Sequence, residues 1–158
     1  MPRIIPNLWF DTQGKEAAEF YCSIFPRSRI TRVMHYGEAG PRPAGTVLTV
    51  DFELDGQRYT AINGGPEFTF TEAVSLLVEC ADQEEVDRYW RALTADGGEP
   101  GQCGWLKDKY GLSWQVVPHG LDEVLSDPDP ARADRAMRAM FTMSKLDLAA
   151  IEAAADAP

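Results

Sequence analysis

The feature of this sequence that most constrains its fold is a pattern that occurs twice. The segment from Asn7 to Phe25 aligns without a gap on the segment from Ser75 to Leu93, and each is typical of a short apolar strand followed by an amphipathic helix. Three strand-like runs follow the first helix, and three shorter ones follow the second. The repeat therefore predicts two βαβββ modules.

Apolar residues recur at helical spacing in both predicted helices, and helix boundaries are marked by capping residues. Asp82 with Glu85 forms a capping-box-like start for the second helix, and Gly97 with Gly98 ends it. The apolar stripes are Ala17, Phe20, Tyr21, Ile24 and Phe25 in the first helix, and Val86, Tyr89, Trp90 and Leu93 in the second.

The C-terminal segment differs from both modules. Asp129 and Pro130 predict the start of a helix, whose stripe would be Ala133, Met137, Met140 and Phe141. A second helix is predicted to start at Ser144, with Asp147 as its capping-box acid. The Met-rich stripe is interpreted as packing against the domain or a second subunit, the alternative being a cofactor or partner surface.

These boundaries predict one domain over residues 1–158. Module 1 covers about residues 3–66, module 2 about 73–119, and a helical tail about 121–156. The fold class is α+β. Because each module has its helix on one side of its sheet, the two uncovered faces are expected to close into a barrel-like cleft.

Composition excludes some partners. The chain has 25 acidic against 15 basic residues and a formal charge of −10, which disfavours nucleic acid and anionic membranes. No apolar run approaches the roughly 18 residues of a membrane helix, and no secretory leader opens the chain. The three cysteines show no metal or disulfide spacing. We therefore expect a cytoplasmic protein without a cofactor.

Alternation along the strands predicts which side chains face the cleft. In the first module these are Asn7, Trp9 and Asp11 on the first strand, and Tyr59, Ala61 and Asn63 on the last. In the second module they are Ser75, Leu77, Glu79, Ser113, Gln115 and Val117. A shift of one residue in register would exchange every assignment on a strand.

Several blocks of sequence resemble a known family over essentially Pro2 to Glu152. They are "NLWFDTQGKEAAEFYCSIFPRSRI", "INGGPEFTFTEAVSLLVE", "DQEEVDRYWRAL", "CGWLKDKYGLSWQVVP" and "RAMRAMFTMSKLDLAAIE". The combination of "NGGP" with "DKYGLSWQVVP" is the most specific part. The chain resembles the PhnB-like branch, often labelled demethylubiquinone methyltransferase-like, of the vicinal oxygen chelate superfamily. That superfamily includes glyoxalase I, extradiol dioxygenases, fosfomycin-resistance enzymes and bleomycin-binding proteins.

The resemblance implies a glyoxalase-like cleft and a homodimer, because members commonly complete their sheets across a subunit interface. It also implies that metal-using members place four ligands at positions that fall here on Asn7 (or Pro6), Tyr59, Ser75 and Gln115. A divalent catalytic ion normally takes imidazole or carboxylate donors. We therefore predict that no metal binds there.

Other candidates for chemistry are each matched by a simpler structural interpretation. Asp51, Glu53 and His35 are candidates for proton transfer, and Cys103 for a nucleophile. For all of them, and for His119, a structural role on a strand, edge or loop is the favoured interpretation. Trp9, Tyr59 and Trp105 either line a pocket for a flat ligand or pack in the core.

Two functional hypotheses follow from these residues. The favoured one is a metal-independent protein that binds a small molecule through Asn7, Trp9, Tyr59, Asn63, Ser75, Trp105 and Gln115. The alternative is an enzyme of the lyase, transferase or dioxygenase class that acts on a small oxygenated or aromatic substrate. No strand, glycine-rich turn and helix unit supports the methyltransferase label. The sequence does not identify the ligand.

Overall fold

The structure is a computed structural model that describes all residues from Met1 to Pro158, and the chain divides into two compact units. Unit 1 is Met1–Phe70 and unit 2 is Thr71–Pro158. The α+β class, the two βαβββ modules and the C-terminal helices predicted from the sequence are confirmed. No helix combines the length and the apolar character that crossing a membrane requires.

Unit 1 is a four-stranded mixed sheet with one helix. The strand order is β1-β4-β3-β2, with β1 parallel to β4 and the other pairs antiparallel. The core lies between the sheet and α1, where Ala17, Ala18, Tyr21, Val50 and Phe52 are fully buried. The elements are β1 Asn7–Phe10, α1 Gly14–Ile24, β2 Arg29–His35, β3 Val47–Leu54 and β4 Gln57–Asn63.

The hairpin between β3 and β4 turns in two residues. Asp55 has φ 47° and Gly56 has φ 81°, which is the left-handed backbone that a type I′ turn requires at both central positions. Glycine adopts this conformation without steric cost, and Asp tolerates it. The predicted tight hairpin is therefore confirmed.

Unit 2 repeats the arrangement, with strand order β5-β8-β7-β6 and β5 parallel to β8. Its helix α2 buries Val86, Tyr89 and Leu93. The Asp82 side chain accepts a hydrogen bond from Glu85 N–H at 2.9 Å, as the capping pattern predicts. The elements are β5 Ser75–Cys80, α2 Gln83–Thr94, β6 Glu99–Pro100, β7 Trp105–Lys107 and β8 Ser113–Pro118.

The "DKYGLSW" block is a structural turn between β7 and β8. The buried Asp108 carboxylate accepts hydrogen bonds from Tyr110 N–H at 2.8 Å, Leu112 N–H at 3.1 Å and Trp114 Nε1 at 2.9 Å. Gly111, with φ 86°, supplies the reversal. A buried carboxylate needs such donors, so this residue sets the register of the strands that carry Trp105 and Ser113.

The C-terminal segment forms three helices, α3 Leu121–Leu125, α4 Pro130–Met140 and α5 Leu148–Asp156. The sequence analysis did not predict α3. Helix α4 starts at the predicted cap Asp129. The predicted start of the last helix at Ser144 is wrong, because Asp147 is the N-cap and accepts from Ala150 N–H at 3.0 Å.

The buried face of α4 also differs from the prediction. Ala136 is the fully buried residue of this helix. It belongs to a buried apolar cluster with Leu146 and Ile151, and Met140 packs against that cluster. Met137 is 39% exposed and Phe141 62% exposed. The apolar stripe lies one position away from the predicted one, and this leaves two large apolar side chains at the surface.

Candidate functional site

The face of the second sheet that lies opposite α2 carries the candidate site, and we call it the open face. The strand register pairs Ser75 with Ser113 and Leu77 with Gln115, and it pairs Gln115 with Trp105 on the other side. Directly paired residues project to the same side of a sheet. Ser75, Gln115 and Trp105 therefore share the open face, while their role in ligand binding stays a prediction.

Gln115 is tied to its neighbouring strand by its side chain. Its Nε2 donates a hydrogen bond of 2.9 Å to Ser75 Oγ, and the side chain is only partly buried. An amide has two donor hydrogens and one acceptor oxygen, so one such bond leaves hydrogen-bonding capacity unused. The neutral pair is suited to orienting a polar group of a ligand.

A cavity of about 570 Å³ opens on this face, and we call it the second-sheet cavity. Ligand pockets typically measure roughly 300–1,000 Å³ and are mostly apolar with a few polar groups. The large apolar lining residues are Pro100, Trp105, Leu106 and Phe141, and the polar ones are Glu72, Glu99, Gln102, Lys107 and Ser113; Gly101 and Cys103 complete the lining. The cavity thus has the size and lining of a small-molecule site.

Ser113 is the buried polar group in this lining that lacks a partner. It is 1% exposed, and its Oγ is a buried side-chain atom without any hydrogen bond. A buried hydroxyl left unpaired costs roughly 1–3 kcal/mol. Such an atom beside a cavity is what a ligand with a hydrogen-bonding group would satisfy.

Cys103 also lines the second-sheet cavity, in a tight loop. Its φ is 57°, its N–H donates to Met143 O at 2.8 Å, and its thiol donates weakly to Met140 O at 3.6 Å. Cys103 therefore lies beside the cavity, but no base or helix N-terminus activates this thiol among its bonded neighbours, and its role as a nucleophile stays a prediction. His119 lies elsewhere on unit 2, in an exposed pair with Glu79 at 3.1 Å.

In unit 1, Trp9 and Asn7 lie on the sheet face opposite α1. The Trp9 indole Nε1 donates to Gly65 O at 2.9 Å, and Phe68 packs on its edge with ring centroids 4.9 Å apart. A Cβ at Gly64 would collide with the indole. The "NGGP" segment therefore packs against the Trp9 indole and accepts its hydrogen bond.

The predicted orientation of Tyr59, Ala61 and Asn63 is wrong. Strand β1 pairs with β4 so that Leu8 lies beside Ala61 and Phe10 beside Asn63, and these pairs are buried toward α1. Tyr59 stacks on the core ring of Phe52 at 5.5 Å, and burial raises the pKa of its phenol.

Asn63 is committed to hydrogen bonds within unit 1. Its Oδ1 accepts from Gly14 N–H at 2.7 Å, and its Nδ2 donates to Thr12 O and Val47 O at 3.2 and 3.3 Å. These contacts join α1 to the sheet. The physical reason for the error is a one-residue difference in register, which moves a whole strand to the other face.

The acidic candidates of unit 1 are engaged in pairs. Asp51 accepts from Thr60 Oγ1 at 2.6 Å and from Arg58 at 3.1 Å. Glu53 pairs with Arg29 at 3.3 Å. His35 is exposed at the end of β2. The structure does not bring these groups together with a histidine into an acid–base pair, and their catalytic role stays untested.

The residues at the positions implied for a metal do not fit a divalent ion. Asn7 Nδ2 donates a hydrogen bond to Ile5 O at 2.9 Å, and Ser75 Oγ accepts one from Gln115. Tyr59 packs in the core. None of these donors is an imidazole or a carboxylate. No group of three or more His, Cys, Asp or Glu is arranged to hold a metal ion.

Several residues of the second-sheet cavity were not predicted from the sequence. Alternation predicted that Ser113 faces the cleft, but its lack of a hydrogen-bond partner has no signal in sequence. Phe141 was assigned to helix packing, and Glu72, Glu99 and Lys107 were not considered. These residues come from separate segments, so only the folded chain shows that they share a cavity.

The chain matches a protein family over most of its length. The family described as 3-demethylubiquinone-9 3-methyltransferase matches residues 2–117. The matched range ends before α3, so Phe141 lies outside it. A comparison with curated proteins found no match.

Solved structures share the fold. A PhnB protein from Bacillus cereus is 36% identical and superposes with a TM-score of 0.67 over 74% of this chain and 99% of its own. A protein from Pseudomonas aeruginosa, 19% identical, has a TM-score of 0.62 over 75% of this chain and 98% of its own. The fosfomycin resistance protein FosX from Listeria monocytogenes, solved with Mn(II) and sulfate, is 17% identical with a TM-score of 0.54 over 78% and 94%. The last two show a common fold alone.

Proposed function

Since this chain belongs to the family described as 3-demethylubiquinone-9 3-methyltransferase, a PhnB-like branch of the vicinal oxygen chelate superfamily, we propose that it binds a small organic molecule without a metal ion. The observation that carries the proposal is the second-sheet cavity, which is apolar in most of its lining and contains one unpaired hydroxyl. Metal independence is supported by the neutral donors at the positions implied for ligands.

The proposed binding residues of unit 2 are Trp105, Ser113 and Phe141, with Gln115 and Ser75 beside Trp105 on the same face. Trp105 and Phe141 supply ring surfaces, and Ser113 supplies the polar anchor. Asn7 and Trp9 stay in the proposed set for unit 1. Tyr59 and Asn63 leave it because both serve the core of that unit.

We do not propose methyl transfer for this chain. A nucleotide-type cofactor site of the Rossmann kind needs parallel strands joined through a glycine-rich turn to a helix. Here "NGGP" supports Trp9, and Gly97 and Gly98 follow the end of α2. No observation favours the enzyme alternative over binding.

The proposal also takes residues 1–158 as one functional domain that acts as a homodimer in the cytoplasm. Its three cysteines are free, which is usual for proteins of reducing compartments. The family resemblance supports the dimer.

The proposal is tested by screening a library of small organic molecules against the full chain after dialysis with a chelator. Binding is followed by NMR through the indole N–H of Trp105, which is assigned by its loss in Trp105→Phe. We expect ligands that shift this resonance and are released on dilution. The dialysed protein is also analysed for metal.

A matched pair of variants localises the binding, one at Phe141, the C-cap residue of α4, and one at Met137 within α4. Phe141→Ala removes a ring from the second-sheet cavity and is expected to weaken binding about tenfold, which corresponds to about 1.4 kcal/mol. Met137→Ala removes an exposed apolar side chain of the same helix that does not line the cavity, and it should bind normally. Stoichiometric zinc, manganese or iron that survives dialysis, or no ligand at Trp105, would overturn the proposal.

A further inference from the structure

The charged groups of the second-sheet cavity are unbalanced toward the negative. Two carboxylates, Glu72 and Glu99, line it together with a single cation, Lys107. Lys107 forms an ion pair with Glu72, and the register of β6 and β7 pairs it with Glu99 on its other side. The ammonium group of Lys107 is thus paired with Glu72 and also feels the charge of Glu99.

Lys107 is the only cation in the lining and is already paired with Glu72, so no unpaired cation is left to receive an anionic ligand. The hydrogen bond between Glu72 and Lys107 lowers the pKa of Glu72 and raises the pKa of Lys107, so both stay charged at neutral pH. No arginine or histidine lines the cavity. The formal charge of the whole chain, −10, acts in the same direction on an approaching ligand.

The remaining lining specifies shape and one buried polar contact, beside the exposed amide of Gln102. Trp105 and Phe141 present flat apolar surface, and the unpaired Ser113 Oγ can either donate or accept one hydrogen bond. A flat apolar ligand would bury its rings against the aromatic side chains. A single hydroxyl, amine or amide group on it would satisfy the serine.

Resting on the proposed function, we propose that the second-sheet cavity selects a flat apolar ligand with one hydrogen-bonding group and no negative charge. The carboxylates of Glu72 and Glu99 disfavour anions, and Ser113 holds the polar group. The selectivity against anions depends on Glu72, Glu99 and Lys107, and the contact with the polar group of the ligand depends on Ser113.

Three probes with the same ring system test the charge selectivity. They are naphthalen-2-ylmethanol, which is neutral, naphthalen-2-ylmethylamine, which is cationic at pH 7, and 2-naphthoate, which is anionic. Dissociation constants are measured on the full chain through the Trp105 indole resonance. We expect the alcohol and the amine to bind, and the carboxylate to bind at least about fivefold more weakly, as a repulsion of about 1 kcal/mol gives.

Variants separate the contributions of the side chains. Glu99→Gln should strengthen binding of 2-naphthoate about fivefold relative to the alcohol. Glu84→Gln, which removes the same charge from the exposed surface of α2, should leave the ratio unchanged. Ser113→Ala should weaken binding of the alcohol about fivefold without loss of stability, because it removes a buried hydroxyl that has no partner in the chain.

The possible results are distinguishable. Equal or tighter binding of 2-naphthoate would overturn the charge selectivity and leave the proposed binding function intact. Loss of stability in Ser113→Ala would show that its hydroxyl serves the fold and overturn its role as an anchor. If none of the three probes binds while the library yields ligands at Trp105, the flat-ligand inference fails alone. If neither binds, the proposed function fails as well.

Discussion

At the scale of single residues, Asn63 closes the N-terminus of α1 from a neighbouring strand. Gln13, at the N-cap position, makes no capping side-chain hydrogen bond, and the Gly14 N–H donates to Asn63 Oδ1 instead. The first N–H groups of a helix lack partners within it. A Cβ at Gly14 would approach Oδ1 to 2.7 Å, so the glycine permits this cap.

Replacing Asn63 with alanine should therefore destabilise the protein without changing ligand affinity. The substitution leaves one buried donor and two carbonyls without their partner, and we expect the free energy of unfolding to fall by about 2 kcal/mol or more. Gln57→Ala, on the exposed end of the same strand, should change it by less than about 0.5 kcal/mol. Urea unfolding measures both. A stable Asn63→Ala variant with weakened ligand binding would restore the original assignment of Asn63 as a ligand residue.

A second residue, Cys80, makes the stability of the protein depend on pH in the alkaline range. The side chain is fully buried, and burial, followed by the nearby charge of Glu85, raises the pKa of its thiol to about 12 from its ordinary value of 9.0. Between these values the unfolded chain releases a proton that the folded chain keeps. The free energy of unfolding therefore falls as pH rises from about 9 to about 12.

This dependence should be absent from Cys80→Ala. In the window between pH 9.0 and about 12, the difference between the wild-type and variant free energies of unfolding should shrink by up to roughly 1.4 kcal/mol per pH unit. Urea unfolding at successive pH values measures the difference. Parallel profiles for the two proteins would contradict the shifted pKa.

At the scale of elements, the C-terminal helices depend on aspartate caps. Asp129 accepts from Ala131 N–H at 3.0 Å at the start of α4, and Asp147 accepts from Ala150 N–H at 3.0 Å at the start of α5. Ser144 instead donates to Gly101 O. That contact binds the segment before α5 to the loop that carries Cys103.

We predict that Asp147→Ala lowers the free energy of unfolding by about 1 kcal/mol, the usual cost of losing an N-cap. The exposed Glu152 lies inside α5, so Glu152→Ala should stay within about 0.5 kcal/mol of wild type. Thermal unfolding followed by circular dichroism compares the two. Equal losses from both substitutions would argue against Asp147 as the cap.

At the scale of the whole molecule, the edge strand β5 offers a surface for the homodimer that we propose. It ends the sheet order β5-β8-β7-β6, and its Leu77 is 55% exposed next to Val74 at 68%. An edge strand presents unpaired backbone groups, and exposed apolar side chains beside them favour association. This surface is suited to contact a second copy of the chain.

We expect light scattering at micromolar concentration to give about twice the 17.5 kDa mass of one chain. Leu77→Asp should shift the protein toward the monomer, because a charge on the buried face of an interface is costly. Met137→Asp, on the exposed side of α4, should stay dimeric. A wild-type monomer would contradict the expected homodimer.

The sequence by itself determined the two βαβββ modules, the hairpin at Asp55 and Gly56, and the cap at Asp82. Each of these follows from a local pattern in the sequence: the period of the hydrophobic residues, the residues of a turn, or the spacing of capping residues. The shared face of Ser75 and Gln115 was predictable for the same reason.

Only the tertiary structure decided which face Tyr59 and Asn63 occupy, because the register of a strand against its partner is a long-range property. The choice of Asp147 over Ser144 likewise followed from the contact of Ser144 with Gly101. The second-sheet cavity joins Glu72, Ser113 and Phe141 from three segments of the chain. No local pattern in the sequence indicates that these residues lie close together, because their proximity results from the packing of segments that are distant in sequence.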